Sequence, residues 1–169
     1  MKKIATIKLY KALLITDIDA QTYKRVDGVL SGESDQLRNA LSSDSEETLD
    51  QTILCRHLES RDSKLRSKLT FCLADQDDGD LSASNEIDQS ESFNYSLEVP
   101  DKFDKQRCKM LAQRMHDYLL QGTLYDWYAT QNMKGNVGSA ELEEMESSIV
   151  SMLRSSYVKR PIQPFGPRN

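Results

Sequence analysis

A single proline, Pro100, stands in the first 160 residues of this 169-residue chain, while Pro161, Pro164 and Pro167 crowd into its last nine. Proline fixes φ and lacks the N–H that a helix interior or a central strand requires. Long stretches on either side of Pro100 are therefore open to uninterrupted helices, and the end of the chain reads as an extended arm. Glycine adds only seven residues, so the two together fall to about half of their average usage of ~12%. Collagen-like, low-complexity and turn-dense all-β architectures are excluded on that ground. The apolar fraction of 38% is below the usual ~45–50%, which still allows one core under a generous polar surface.

Hydrophobic spacing places the elements. Residues 3–10 are rich in β-branched and aromatic types but alternate imperfectly, so a short strand is expected there. From Lys11 to Val26, Leu14, Ile18, Thr22 and Val26 recur at helical spacing, and Gly28 follows as a stop. Residues 30–45 read as a loop with a helical turn near 35–41. Ser45 can cap a helix with Glu46 and Glu47 in its first turn. Leu49, Ile53, Leu54, Leu58, Leu65, Leu69, Cys72 and Leu73 follow at threes and fours, with an interruption near Arg61. Unbroken, residues 46–73 make a rod of ~42 Å, whose solvated face carries Arg56, Glu59, Lys64 and Lys68.

Phe93 to Val99 alternates without a fault and predicts a half-buried strand ended by Pro100. Asp101 or Asp104 can start the next helix, which runs to about Gln131. Its broad apolar face carries Phe103, Leu111, Met115, Leu119 and Leu124 together with the aromatic cluster Tyr118, Tyr125, Trp127 and Tyr128. Few bases interleave those rings, so base stacking gives way to core packing or a protein interface, where Tyr and Trp are enriched. Asn132 to Gly138 reads as a turn, and Ser139 can cap a last helix with Leu142, Met145, Ile149, Met152 and Leu153 on one face. The expected architecture is a mainly helical α+β domain over residues 1–157, with three or four helices and one or two short strands, followed by the arm 158–169.

Charge is unevenly spread. The net charge is −5, which disfavours bulk nucleic-acid binding. Residues 74–92 hold seven acids (Asp75, Asp77, Asp78, Asp80, Glu86, Asp88, Glu91) and no base. The ends are basic, with Lys2, Lys3, Lys8 and Lys11 at the start and Lys159, Arg160 and Arg168 at the finish. The acidic stretch is read as an exposed linker or loose hairpin. Asp75 to Asp80 only partly matches a calcium loop, because Gly79 comes one place early for the sixth position when Asp75 is the first. The Asp17 and Asp19 pair makes a weaker metal site still.

Catalytic chemistry finds little support. Adjacent helix positions point ~100° apart, so His116 and Asp117 do not make one site, and Cys55 and His57 face away from each other. Cys55, Cys72 and Cys108 are an odd number at wide spacing, which offers neither a disulfide framework nor a metal knuckle. No phosphate-cradling glycine loop and no nucleophile elbow occurs. No enzyme activity, cofactor or metal is expected. The longest apolar run, Ala12 to Ile15, cannot cross a membrane, and no stretch of signal-peptide length follows the basic start. A protein made in the cytoplasm, and kept there or carried out within a larger assembly, is the expectation.

The C-terminal arm is either a frayed end or a contact. Pro161 and Pro164 reduce the entropy lost on docking, Ile162 and Phe165 offer apolar anchors, and Lys159 and Arg160 supply charge.

Several segments in order carry a likeness to a known class: the opening Met1-Lys2-Lys3-Ile4 with Ala12-Leu13-Leu14 and Asp17-Ile18, the strand Tyr95 to Pro100 running straight into a helix, and the helix ending in Ser156-Tyr157-Val158-Lys159-Arg160-Pro161. In these the chain resembles small neck proteins of tailed bacteriophages, the head-to-tail connector or tail-completion class, especially of Bacteroides-type phages. The long acidic stretch departs from a compact completion protein. The resemblance implies a non-enzymatic virion subunit, assembled in the host cytoplasm, that forms a ring between portal and tail proteins and lets DNA pass without sequence-specific binding. It also implies that the arm contacts neighbouring subunits. Asp75, Asp77, Asp78 and Asp80 would then face the channel and repel the phosphate backbone. The rival expectation, from the arm alone, is a soluble regulatory adaptor whose Lys159–Phe165 segment is a linear ligand for a grooved partner.

Overall fold

The computed structural model describes residues 2–28, 47–74, 86, 88–130 and 137–157. In chain order the described elements are β1 (Lys2–Tyr10), α1 (Lys11–Gly28), α2 (Glu47–Leu69), β2 (Ser92–Pro100), α3 (Lys105–Thr130) and α4 (Ser139–Tyr157). Four helices and a two-stranded sheet make a mainly helical α+β fold, as the spacing predicts. The loop 30–45 with its helical turn, most of the acidic stretch and the arm 158–169 lie outside the described residues.

β1 and β2 pair antiparallel over nine residues, from Lys2 opposite Pro100 to Tyr10 opposite Ser92. The strand expected to be short is as long as its partner. Its alternation is intact on the inner face, where Ile7 and Leu9 are buried and Ala5 packs against them. What blurs the pattern is the outer face, which carries Ile4 and Tyr10 beside Thr6 and Lys8, with Ile4 66% exposed. A lone hairpin-sized sheet is marginal in water. This one is covered by helices through Phe93, Tyr95, Leu97 and Val99 on β2. The far edge of β2 is also capped, since Glu98 N donates to Cys72 O at 2.7 Å and Ala74 N to Ser96 O at 2.8 Å.

α3 is the central element and buries residues on more than one face, from Leu111 and Met115 through Leu119, Leu120 and Leu124 to Trp127. α1 lays Leu14, Ile18 and Thr22 against the core, three of the four positions its spacing singles out; the side chain of Val26 lies outside the described ones. α2 buries Leu54, Leu58, Leu65 and Leu69, and it stops at Leu69 rather than at Leu73. Cys72 N and Leu73 N both return to Leu69 O, at 2.9 and 3.0 Å. That turn frees Leu73 to bridge to Leu97 of β2. The start of α3 is capped by Asp104, whose Oδ1 accepts from Arg107 N at 2.8 Å. α4 is capped one residue earlier than expected: Leu142 N donates to Gly138 O, and Glu141 reaches back to accept from Gly138 N at 2.9 Å. Ser139 is therefore the first helical residue and Gly138 the cap, which is one half of a capping box.

The interruption near Arg61 is not a break in the helix. Arg61 and Asp62 are 8% and 7% exposed in the middle of α2. Arg61 lies across Gly122 of α3, where an added Cβ would meet its Cδ at 2.8 Å. It also forks onto Asp126, with Nε to Oδ2 and Nη2 to Oδ1 both at 2.6 Å. Alanine at 122 should gain up to ~1 kcal/mol of helix propensity. It should lose more by displacing a side chain whose far end is pinned. Gly122→Ala is expected to cost about 1–3 kcal/mol net, the usual range for overpacking, in urea denaturation. The penalty should shrink in an Asp126→Ala background, where Arg61 is free to move.

Candidate functional site

Charged side chains of α2 tie it to three other elements, through Arg61 to α3, Asp62 and Arg66 to β2, and Lys68 to α4. Burial pulls the Arg61 guanidinium down, but the hydrogen bonds and charge of Asp126, with help from Tyr118, hold it above its ordinary value. The Tyr125 ring lies 5.8 Å from the same guanidinium. One residue on, Asp62 accepts from the Tyr95 hydroxyl on one oxygen and from Arg66 Nε at 2.7 Å on the other. Arg66 continues to Asn94 O at 3.0 Å and stacks 4.3 Å from the Tyr95 ring. Burial, then the neighbouring Asp62 carboxylate, raise the Tyr95 phenol, so it stays a protonated donor. A third pair joins Lys68 to Glu146 of α4 at 3.1 Å, and Tyr118 donates to the other oxygen of Glu146 at 3.3 Å.

Between α2, α3 and the start of α4, Arg61, Tyr118 and Glu146 line an open polar cleft of about 470 Å³, with Lys64, Lys68, Tyr125, Glu143 and Ser147 at its walls. A second groove, of about 420 Å³, lies between α3 and the N-terminal half of α4. Met145 and Val137 give it an apolar floor, and Asp117, Glu141 and Glu144 line its sides with Arg114. Arg114 is tied down by donating from Nη1 to Ser148 Oγ at 2.7 Å.

Three of the four aromatic residues singled out in the sequence are interior. Tyr118, Trp127 and Tyr128 are all at most 5% exposed, because α3 is surrounded by the other elements. Within the chain they are core, not an exposed interface; Tyr125 alone is half-buried, at the polar cleft. The arm residues Lys159, Arg160, Pro161, Ile162, Pro164 and Phe165 and the acids Asp75, Asp77, Asp78 and Asp80 lie outside the described residues. The C-terminal end of the acidic stretch is described, and it is anchored. Asp88 N donates to Glu59 at 2.8 Å, Lys11 Nζ donates to Asp88 O at 2.7 Å, and Lys11 N donates to Glu91 O at 3.0 Å. Ser90 hydrogen-bonds the Asp88 carboxylate from both Oγ and N.

His116 makes a contact across helices that its spacing does not announce: its Nε2 lies 3.2 Å from Asp17 of α1. Its Nδ1 comes within 3.5 Å of Asp117 but makes no hydrogen bond, and Asp117 accepts from Gln113 instead. The Asp17 contact links α1 to α3; no described hydroxyl or thiol hydrogen-bonds to the ring to serve as a nucleophile. Thiol chemistry is disfavoured too: burial, then Glu98, push Cys72 up to about 11, and burial, then Glu59, raise Cys55. Among the described residues no group of three His, Cys, Asp or Glu side chains is arranged to hold a metal ion, and no helix is long and apolar enough to cross a membrane. The α3–α4 groove has no signature in the spacing of residues, because its lining is spread between 114 and 148.

Two outcomes are expected. Tyr95→Phe leaves one oxygen of a buried carboxylate unpaired and should cost about 1–3 kcal/mol in chemical denaturation. The two Ser90 hydrogen bonds and Lys11 lower the Asp88 carboxyl from 3.8 to about 2. A depressed carboxyl stabilises the fold above its unfolded pKa, and that contribution fades as pH falls from about 4 through 2. The stability gap between the native protein and Asp88→Asn should therefore be constant above pH 5 and close toward pH 2, read from urea midpoints across that range.

Comparison with known proteins finds no matching family model, no similar curated protein and no similar solved structure.

Proposed function

We propose that this chain is a structural subunit of the neck of a tailed bacteriophage, one member of an oligomeric ring that joins the portal side of the head to the tail. The observation that carries the reading is the pairing of β1 with β2. Two separate segments of the likeness, the opening run with Lys2, Lys3 and Ile4 and the Tyr95–Pro100 strand, are neighbours in one sheet, and the second turns directly into α3. A third, the run Ser156-Tyr157, closes the last described helix, and residues 158–169 follow it in the chain.

The chemistry of the site agrees with a structural role. Charges inside the body are paired for packing rather than poised for proton transfer, and burial holds the Cys55 and Cys72 thiols protonated. In a ring each subunit presents two different surfaces to its two neighbours, and a basic, proline-bearing arm on an acidic protein is suited to reach one of them. The acidic stretch would line the passage and keep the DNA backbone from adhering. The adaptor reading draws on the spacing of Ile162 and Phe165 between prolines. It differs in requiring that the isolated arm bind a partner by itself.

Removing residues 158–169 should leave the circular dichroism and thermal midpoint of the protein unchanged and abolish its incorporation into gradient-purified particles. Peptide mass spectrometry against the capsid protein would read this as the loss of a low, fixed copy number per particle. Absence of the intact protein from particles would overturn the neck assignment.

A further inference from the structure

The groove between α3 and the N-terminal half of α4 is an apolar floor inside a mostly acidic rim. Met145 is half-buried against the core, and Asp117, Glu141 and Glu144 outnumber Arg114, which Ser148 already engages. Glu144 is exposed and enters no ion pair among the described residues. The occupant that fits is a short extended segment with apolar side chains between prolines and cationic ends.

The chain contains such a segment immediately after α4. Residues 158–169 carry Lys159, Arg160 and Arg168 around Ile162 and Phe165, and no acid. Reach also fits. A polyproline II chain advances ~3.1 Å per residue, so the eight residues from Tyr157 to Phe165 could span about 25 Å in that form. A helix rises 1.5 Å per residue, so running back along α4 that distance leads to the turn of Glu141 and Met145.

We infer that the α3–α4 groove is the receptor for the segment 158–169, with Ile162 and Phe165 seated on Met145 and Val137 and the arm's cations set against Glu144 and Asp117. This deepens the reading of the segment as a contact arm, and rests on it, by naming the surface that takes it. A proline-restricted segment loses little entropy on docking. Opposite charge at the rim adds orientation and a salt-sensitive on-rate.

The test uses the full chain with Phe165→p-benzoylphenylalanine, photolysed in an equal mixture of ¹⁴N- and ¹⁵N-labelled protein and mapped by mass spectrometry. Cross-links should concentrate on Met145 and its neighbours between 137 and 148. Glu144→Arg, an exposed change that spares the core, should cut their yield about fivefold or more. Cross-links confined to other surfaces, or a yield indifferent to Glu144→Arg, would overturn the inference. The isotopes separate this claim from the ring: mixed-label pairs show a neighbour's arm in the groove and support both. Same-label pairs alone keep the groove as receptor and remove the arm as an intersubunit contact.

Discussion

Arg61 lying across Gly122 is the constraint around which the helices are set. A guanidinium in the middle of a packed helix pair needs a carboxylate within reach, and it needs room for its aliphatic stem. Asp126 supplies the first through two bonds of 2.6 Å. Gly122, one turn earlier on the same helix, supplies the second by having no Cβ. Removing either partner of a buried pair strands the other in a poor solvent, which costs more than the pair is worth as a bond. The arrangement thus contributes less to overall stability than to fixing how α2 sits on α3. Register and crossing point are set together, because the fork and the gap are one turn apart.

A second consequence runs from the next residue. Asp62 is buried beside Arg61 and reaches the sheet through Tyr95, while Arg66 closes the triangle by stacking on the same ring and binding the β2 backbone. The two charged pairs diverge from one turn of α2, one to α3 and one to β2. An all-apolar helix could have packed here as tightly, yet it could also have slid or rotated. Directional bonds at both sides leave α2 one position, and the leucines fill the space that position defines.

Much of this was legible in the sequence, and the misses share a cause. Leu14, Ile18 and Thr22 and the alternation from Phe93 to Val99 mark their elements because each shows a single face to a single environment, and α3 is legible because apolar residues recur along its length. Spacing cannot register a polar group that is buried by design, so Arg61 reads as an interruption when it is the centre of the contact. Ile4 and Tyr10 blurred β1 for the converse reason: apolar side chains left on an outer face look like a faulty inner one. The His116–Asp17 contact and the α3–α4 groove were not legible, since both join residues from different helices. Ser139 reads as the cap because its side chain is the better acceptor, yet Gly138 holds the position, with Glu141 reaching back to satisfy the Gly138 N–H.

The acidic stretch shows how local chemistry can hold a segment whose composition resists packing. Seven acids without a base repel one another, and nothing in their order offers a core. Both flanks are nevertheless fixed by backbone groups. On one side Cys72 and Ala74 add to the edge of β2. On the other, Asp88 and Glu91 are held by Glu59 and Lys11, with the Lys11 ammonium also 4.9 Å from the Phe93 ring. Lys11 is the first residue of α1 and Phe93 the second of β2, so one cation joins the start of the chain, the second strand and the close of the acidic stretch. Asp88 can be spared from the repelling set because Ser90 and Lys11 satisfy it.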